Sequence, residues 1–293
     1  MSVRQEPEAR LGVIGGSGLY EMDGLRDAER VVVSTPFGAP SDAFVVGTLG
    51  HQKVAFLARH GLGHRILPTE INYRANIYGF KSLGVELLVS ASAVGSLDES
   101  VEPLDVVIPD QFIDRTRHRC DTFFGDGLVG HVSLADPFCP ELSRRLAESA
   151  ERAGARVHRG GTYVCMEGPQ FSTRAESELY RSWGAKIIGM TNLQEARLAR
   201  EAELCFATLA LVTDFDCWKD DEDPVSVEAV IDRLHRNAAL AAKAIEDLAA
   251  GTGEFRRSCS CARALESAII TARDQISPAA RQRLGIIVQR VLG

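Results

Sequence analysis

Short apolar runs alternate along this chain with longer segments of mixed polarity. Residues 11–14 and 85–92 are apolar runs that end in glycine or small hydroxyl residues, as buried strands do before a turn. Residues 70–83, which lie between them, predict a helix. Strand, helix and strand therefore follow one another, which is the order that α/β folds require.

The alternation continues to about residue 250 and predicts the α/β fold class. Further strands are expected at residues 30–34, 43–48, 53–58 and 204–212 and near residues 106, 163 and 187, and further helices at residues 140–153, 174–183, 193–202 and 226–249. In the last helix, Val227, Val230, Ile231 and Leu234 have the i, i+3, i+4, i+7 spacing of a buried face.

The pattern changes after residue 250. Gly251 and Gly253 interrupt the long helix, and residues 262–273 and 278–291 predict one or two further helices. We therefore divide the chain into a main domain, residues 1–250, and a helical extension, residues 251–293. The extension is expected to pack on the same domain or on a neighbouring subunit.

Composition and charge exclude several classes of function. The 293 residues are 45% hydrophobic and 25% charged, as in an ordinary globular protein. A net charge of -7 argues against a nucleic-acid-binding surface, which needs clustered Lys and Arg. The first ten residues carry both signs of charge, and no run approaches the roughly 20 apolar residues that span a bilayer. We expect a cytoplasmic protein that binds neither nucleic acid nor a membrane.

The seven cysteines are scattered along the sequence, and their number is odd. Both features favour reduced thiols over a disulfide framework. Cys259 and Cys261 form a C-x-C pair, which is compatible with a redox role and equally with two ordinary thiols. The sequence leaves the redox state of this pair open.

Several familiar motifs are incomplete in this chain. The turn Gly15-Gly-Ser-Gly follows a strand, but the third glycine of G-x-G-x-x-G would fall at position 21, which is Glu21. No G-x-x-x-x-G-K-[ST] sequence is present. His60 and His64 have H-x-x-x-H spacing without the glutamate of a zinc-protease helix. Dinucleotide binding, nucleoside-triphosphate chemistry and a histidine zinc site therefore have no support.

Polar residues with anion-binding capacity follow three of the predicted strands. Ser17 follows the first strand, Arg59 and His60 follow the strand at 53–58, and Ser92 closes the strand at 85–92. Taken singly, each could belong to a turn or to the surface. Because ligands gather at the carboxyl ends of strands in α/β sheets, the three together predict an anion site built from a guanidinium fork and hydroxyl donors.

Two carboxylates come directly after the longest apolar run of the chain. Asp214 and Asp216 follow the strand predicted at 204–212. Burying a carboxylate there costs free energy unless the group is paired, solvated or engaged by a ligand. They would lie on one side if the strand continued. A helix cap and a divalent-ion site are alternatives, although an ion would need more oxygen ligands than lie nearby in the sequence. Phe171 could stack on a planar ligand, and Ser172 could cap a helix.

These motifs occur together and in order over residues 11–250, and in this arrangement the chain resembles the family of methylthioadenosine phosphorylases and purine nucleoside phosphorylases. The matching stretches are residues 15–19, 35–42, 57–61, 110–115, 167–171 and 213–218. The resemblance implies a central twisted mixed β-sheet flanked by helices, inorganic phosphate as co-substrate, and neither cofactor nor metal. It also implies a homotrimer, or a dimer of trimers.

The resemblance also assigns roles to individual residues. The implied phosphate ligands are Ser17, Arg59, His60, Ser92, Thr191 and the backbone at Ala93. The implied nucleoside site places Met190 under the ribose, Phe171 and Ser172 beside the base, Asp214 and Asp216 on the base edge, Val227, Val230 and Ile231 around the 5' group, and His131 across a subunit interface. One departure lies at Gln194, where the family has proline in M-[ST]-x-x-P-E.

The expected reaction is phosphorolysis of 5'-methylthioadenosine to adenine and 5-methylthioribose 1-phosphate, in purine and methionine salvage. Asp214 would act as the general acid that neutralises the leaving purine. Two carboxylates favour a 6-amino group over a 6-oxo group, because the amino group donates hydrogen bonds. Phosphorolysis of adenosine, methylthioinosine or other purine nucleosides is an alternative, followed by a hydrolytic nucleosidase and by a non-catalytic nucleoside-binding protein.

Overall fold

Strands fill the middle of this molecule, and helices cover both faces of the sheet that they form. The computed structural model describes residues 9–16, 24–219 and 227–293. Eleven strands of this part of the chain belong to one mixed sheet. The predicted α/β fold with a central mixed sheet flanked by helices is confirmed.

The strands and helices have the following bounds. The strands are β1 (Leu11–Gly15), β2 (Leu25–Val31), β3 (Phe44–Leu49), β4 (Gln52–Ala58), β5 (Leu87–Ser96), β6 (Val106–Ile108), β7 (Gln111–Asp114), β8 (Val157–Arg159), β9 (Thr162–Cys165), β10 (Ala185–Gly189) and β11 (Cys205–Asp214). The α-helices are α1 (Tyr73–Ser82), α2 (Pro140–Arg152), α3 (Arg174–Ser182), α4 (Leu193–Glu201), α5 (Val227–Gly251), α6 (Pro278–Leu284) and α7 (Gln289–Leu292).

Strand β5 is the strand around which the sheet is organised. It pairs in parallel with β1 and with β11, and β1 pairs in parallel with β4. At its last two residues β5 also pairs antiparallel with β10, so the sheet divides there. The carboxyl ends of β1, β4, β5 and β11 consequently meet at one edge, which is where α/β sheets bind ligands.

Alternate residues of the central strands enter two different cores. Ile14 packs in the core that contains Ile77 of α1 and Leu284 of α6, whereas Val13 packs in the core that contains Leu146 of α2 and Ile245 of α5. This follows from the two-residue period of a strand, which points successive side chains to opposite faces. The apolar runs of the sequence are therefore strands buried on both faces.

Three strands differ from the sequence prediction: β2 is shifted, and β7 and β8 were not predicted. The strand expected at 30–34 lies earlier, at Leu25–Val31, where most side chains are exposed and the apolar signal is weak. Strands β7 and β8 have only four and three residues. Such short strands have too few positions to show a period, and their pairing partners fix them.

The helix predicted at residues 262–273 is wrong. A 3₁₀ turn covers Ser260–Arg263, and the segment after it pairs with the loop around residue 130. The amide of His131 donates to the Ala268 carbonyl at 2.8 Å, and the amide of Ile270 donates to the Val129 carbonyl at 3.0 Å. Tertiary hydrogen bonds therefore replace the intrahelical ones that the apolar spacing suggested.

The helix predicted at 278–291 is interrupted. Helix α6 ends at Leu284 because Gly285 has a φ of +44°, which favours glycine, and α7 begins only at Gln289. Buried residues of the tail, including Leu284 and Ile287, nevertheless share the core of α1. The domain boundary at residue 250 stays a prediction.

Among residues 9–16, 24–219 and 227–293, no helix combines the length and the apolar character that crossing a membrane requires. This agrees with the hydropathy of the sequence.

Candidate functional site

A cavity of ≈ 340 Å³ opens at the edge where β1, β4, β5 and β11 end. Residues from these strands, from the end of β10 and from the loop after β9 line it. It brings together nine of the residues predicted for the site: Arg59, His60, Ser92, Ala93, Phe171, Met190, Thr191, Asp214 and Asp216. These residues span more than 150 positions of the sequence, and the parallel pairing of β4, β1, β5 and β11 together with the antiparallel pairing of β10 with β5 makes them neighbours.

Four other predicted residues cannot be placed in this cavity from the described part of the chain. Ser17 lies outside the described residues. Val227, Val230 and Ile231 lie in the first turns of α5, where the structure describes the backbone and not the side chains. The prediction of a 5' pocket at these residues therefore stays a prediction.

Two predicted residues, Ser172 and His131, do not line the cavity. Ser172 is not among the residues that line the cavity, but it lies beside Asp216. His131 borders a second cavity, formed with residues of α2 and of the tail. Within one chain His131 is therefore separate from the other site residues, as a residue lent to a neighbouring subunit would be.

Asp214 and Asp216 stand side by side at the end of β11. Oδ1 of Asp214 accepts a hydrogen bond from the Asp216 amide at 2.8 Å, and Oδ2 accepts one from the Thr213 hydroxyl at 2.7 Å. Asp216 has a φ of 54°, a left-handed conformation that turns the chain out of the strand. The expectation that both carboxyls lie on one side is met through this turn and not through a continued strand.

The environment of the two carboxyls disfavours their charged forms. Burial raises the pKa of Asp214, and the neighbouring charge of Asp216 raises it further. Burial also raises the pKa of Asp216, which the hydroxyls of Ser177 and Ser172 beside the carboxyl lower in part, and no described donor lies within hydrogen-bond distance of its buried Oδ2. A buried carboxylate oxygen without a donor is costly, so this oxygen is suited to accept a hydrogen bond from a ligand.

The close approach of Asp214 to the sheet depends on Gly95 of β5. A Cβ atom at this position would lie 2.9 Å from Oδ1 of Asp214 and 3.2 Å from Cγ2 of Ile188. Both distances are shorter than ordinary van der Waals contacts. The missing side chain at Gly95 therefore creates the space in which the carboxyl pair is held.

The lining of the cavity also contains a buried cation. Arg59 is 2% exposed, and its Nε donates to Oε1 of Glu195 at 2.5 Å. Its Nη1 donates to the Ala91 carbonyl at 3.0 Å, and its Nη2 donates to the Ser90 hydroxyl at 2.6 Å. These bonds fix the guanidinium in one orientation, with one edge against the Glu195 carboxylate. Arg59 also lines the cavity.

Glu195 and its neighbours were not predicted as site residues. Glu195 is fully buried, and its Oε2 accepts from the Ser90 hydroxyl at 2.6 Å. The Ser90 hydroxyl oxygen also lies against Oδ1 of Asn192, which accepts from the Thr208 hydroxyl at 3.0 Å. Glu195 belongs to the motif at 190–195, but no feature of the sequence pairs it with Arg59, which lies 136 positions away. Nothing in the sequence pointed to Asn192.

Hydroxyl and imidazole groups lie beside Arg59 in the cavity. The Ser92 and Thr191 hydroxyl oxygens are 3.0 Å apart. Nδ1 of His60 lies 2.8 Å from the Ile66 carbonyl oxygen and must carry the proton, because a carbonyl can only accept. Burial and the nearby charge of Arg59 lower the pKa of His60 to about 4. The ring is therefore neutral near pH 7, and its Nε2 is a hydrogen-bond acceptor.

Arg119, which the sequence analysis did not single out, ties three loops together beneath the cavity. Its Nη1 donates to the Met190 carbonyl at 2.6 Å, and its Nε donates to Glu167 at 2.9 Å. Gln194, which stands where the family has proline, accepts from Arg119 at 3.0 Å and donates to Thr116 at 2.9 Å. Proline could make neither bond, so the departure at Gln194 is part of this network.

The lining of the cavity offers no obvious metal site in the part of the chain that the structure describes. The single group of three or more metal-ligating side chains found there, a set of cysteines, is not among the residues that line the cavity. The cavity instead combines a guanidinium and two hydroxyls with a carboxyl pair of raised pKa. Such an arrangement can bind an anion beside a molecule that presents hydrogen-bond donors.

Comparison with known proteins places these features in a family. The model of the phosphorylase superfamily matches residues 10–250. The S-methyl-5'-thioadenosine phosphorylase of Koribacter versatilis is 55% identical over 286 residues, which cover 98% of each chain. That of Geobacter sulfurreducens is 57% identical over 282 residues, which cover 96% of this chain and 98% of the relative.

Solved structures agree with the sequence relatives. The chain is similar, with a TM-score of 0.92 and 50% identity, to a methylthioadenosine phosphorylase from an antarctic soil metagenomic library, over 96% of this chain and 99% of the other. It is also similar to the methylthioadenosine phosphorylase of Schistosoma mansoni in complex with adenine, with a TM-score of 0.83 and 35% identity. That match covers 88% of this chain and 96% of the other.

Proposed function

The chain belongs to the phosphorylase superfamily, and on that premise we propose that it cleaves 5'-methylthioadenosine with phosphate, giving adenine and 5-methylthioribose 1-phosphate. The relatives that are 55% and 57% identical over almost the whole chain are S-methyl-5'-thioadenosine phosphorylases. The observation in this molecule that carries the proposal is the buried carboxyl pair, which faces the guanidinium and hydroxyl groups across one cavity.

The carboxyl pair supports 6-aminopurine as the base. No described donor lies within hydrogen-bond distance of Oδ2 of Asp216, and the exocyclic amino group of adenine is a donor that suits it. A 6-oxo group would present a second acceptor to the same oxygen. Phe171 lines the cavity and is 49% exposed, so its ring face is open to a planar base, with Ser172 near the same edge. Met190 lines the cavity at the position proposed for the ribose.

Asp214 is proposed to supply the proton that makes adenine a better leaving group. As the bond between C1' and N9 breaks, its electron pair moves into the purine, and the protonated carboxyl of Asp214 gives its proton to N7. The raised pKa of Asp214 favours the protonated form that this step needs. Phosphate then forms its bond to the oxocarbenium-like C1' carbon.

The anion end of the cavity is proposed to hold the phosphate co-substrate. Arg59, Ser92, Thr191 and the amide of Ala93 would donate hydrogen bonds to phosphate oxygens. Because His60 is neutral, its Nε2 would accept the hydrogen of monohydrogen phosphate. Ser17, outside the described residues, is proposed as a further donor. No cofactor and no catalytic metal are part of this mechanism.

The remaining expectations concern the assembly and the cell. We propose a homotrimer, or a dimer of trimers, in which His131 completes the site of a neighbour, since within its own chain it borders a different cavity. Val227, Val230 and Ile231 are proposed to surround the methylthio group. The enzyme is proposed to act in the cytoplasm, in the salvage of purine and of methionine.

Removal of phosphate tests the reaction type. With methylthioadenosine and phosphate, chromatography is expected to show adenine and a sugar phosphate, and without phosphate the adenine release is expected to fall to background. Inosine is expected to react at least roughly 100-fold more slowly, because its 6-oxo group mismatches the carboxyl pair. Undiminished adenine release without phosphate would instead identify a hydrolytic nucleosidase, and faster inosine cleavage would refute the specificity.

Gly95→Ala tests the position of the carboxyl pair without changing either carboxyl. The added Cβ would meet Oδ1 of Asp214 at 2.9 Å, so the carboxyl must shift, and kcat/KM is expected to fall by roughly 10–100-fold. Gly251→Ala is the control, because nothing lies within 4 Å of a Cβ added there. Steady-state kinetics of both variants measure the effect. An unchanged kcat/KM of Gly95→Ala would show that activity does not require glycine at this position.

A further inference from the structure

Four of the seven cysteines meet at one point, on a side of the molecule away from the residues of the catalytic cavity. The Sγ atoms of Cys139, Cys205, Cys259 and Cys261 all lie within 4.8 Å of one another. Three of these residues are buried, and Cys259 is half-buried. We call this set the cysteine cluster. None of its members lines the catalytic cavity.

The cysteine cluster is assembled by the fold from three separate segments. Cys139 is the residue before helix α2, Cys205 is the first residue of β11, and Cys259 and Cys261 belong to the tail. The amide of Cys139 donates to the Phe206 carbonyl at 2.8 Å, which fixes the first two segments relative to each other. The sulfur of Cys139 faces the cluster, where it lies beside the sulfurs of Cys205 and Cys261.

The sulfur spacing is that of a metal-ligand set. Sγ of Cys205 lies 3.4 Å from Sγ of Cys259. A disulfide bond would require about 2.05 Å. Four thiolates at about 2.3 Å from a tetrahedral zinc ion are about 3.8 Å apart, which is between the 3.4 Å of the Cys205–Cys259 pair and the 4.8 Å within which all four sulfurs lie. The cluster therefore needs only small side-chain movements to close on an ion.

The charges around the cluster complement a metal thiolate centre. One Zn²⁺ with four thiolates has a net charge of about −2, which burial makes costly unless cations lie nearby. Nη1 of Arg200 lies 3.9 Å from Sγ of Cys261. The guanidinium of Arg257 hydrogen-bonds the Cys205 side chain and lies near Cys259. A thiolate accepts from such a cationic donor more strongly than a neutral thiol does.

We propose that the cysteine cluster binds one zinc ion as a closed structural site that fastens the tail to the sheet. All four ligands come from the protein, which leaves no position for substrate and is the arrangement of structural zinc. The tail is held by 3₁₀ turns and short helices. Its Ala268 carbonyl also accepts the amide of His131 at 2.8 Å, so the ion would support the segment that carries His131.

Metal content of the full-length protein tests this proposal independently of the enzymatic reaction. The protein is produced in zinc-supplemented medium and purified without metal-affinity resin or chelator. Elemental analysis by mass spectrometry is expected to find about one zinc per chain. Cys259→Ser is expected to lose most of this zinc. Cys120→Ser is the matched control, because Cys120 is exposed and outside the cluster, and it is expected to keep the metal.

Two measurements on the unaltered protein keep the test valid if Cys259→Ser does not fold. Cobalt substitution is expected to give the intense visible absorption of tetrahedral cobalt thiolate. Denaturation with chelator and without reductant is expected to expose seven reactive thiols, equal to the number of cysteines. Two or four missing thiols would identify disulfides instead of zinc. Seven thiols with neither zinc nor a cobalt spectrum would likewise overturn the proposal.

Discussion

Asp214→Asn is expected to lower kcat for methylthioadenosine by roughly 10²–10⁴-fold, the usual contribution of a general acid. Asparagine keeps the size of the side chain and can still donate a hydrogen bond to N7, but it cannot transfer a proton. KM is expected to change less than kcat, because the lost interaction belongs to the step in which the glycosidic bond breaks. Steady-state kinetics with methylthioadenosine and saturating phosphate measure the effect.

The structure gives a reason to expect that Asp214→Asn folds. Its Oδ1 can accept from the Asp216 amide, and its Nδ2 can donate to the Thr213 hydroxyl, which then donates to the Val94 carbonyl that lies 3.2 Å from it. Asp126→Asn is the control, because the Asp126 side chain is exposed. Thermal unfolding should be alike in both variants. Full activity of Asp214→Asn would remove Asp214 from the proposed mechanism.

Because Asp214 is proposed to act as an acid, the activity of the enzyme is expected to depend on pH. Burial raises the pKa of its carboxyl above the ordinary value of 3.8, so the protonated form persists to higher pH than for an exposed aspartate. Activity that needs the protonated form is retained below this raised pKa and declines as pH rises through it. The Asn variant is expected to lack that alkaline decline over the same interval. An unchanged pH profile would assign the decline to another group.

Arg59→Met is expected to reduce the free energy of unfolding by about 3–5 kcal/mol, because it leaves the carboxylate of Glu195 buried without its cation. Glu195 is fully buried, and Arg59 is 2% exposed, so water cannot replace the lost partner. Phosphate-dependent activity is expected to disappear as well. Urea denaturation of the variant and of the unaltered protein measures the stability difference.

A double variant separates the charge effect from simple loss of packing. Arg59→Met combined with Glu195→Met removes both buried charges and is expected to recover most of the stability, without recovering phosphate binding. Arg144→Met is the control for an exposed arginine, because Arg144 pairs with Glu148 at the surface. This variant is expected to lose far less free energy of unfolding than Arg59→Met. Equal losses from Arg59→Met and Arg144→Met would contradict the role given to the buried pair.

Much of the site could be predicted because each of its groups follows an apolar strand in the sequence. Arg59 and His60 follow β4 and Asp214 ends β11, whereas Ser92, which was expected to close its strand, lies inside β5 because that strand continues to Ser96. Parallel strands end at the same edge, so their position after a strand was enough to group them. The resemblance carried by these motifs is confirmed by the family match over residues 10–250.

The partners of these residues could not be predicted, because they depend on contacts between distant segments. Glu195 lies 136 positions from Arg59, and Arg119 reaches Gln194 across 75 positions. The tail shows the same limit, since residues 262–273 have an apolar spacing compatible with a helix but hydrogen-bond to the loop near His131 instead. Local spacing carries no information about which backbone group a distant segment will meet.

By itself, the sequence determined the α/β class, the main strands and helices, and which polar groups stand at strand ends, because these follow from local periodicity. Only the tertiary structure decided the protonation states of those groups. Burial and the proximity of Asp216 raise the pKa of Asp214, and the charge of Arg59 helps keep His60 neutral. Such shifts arise from solvent exclusion and from charges brought close by folding, and neither can be read from the order of residues along the chain.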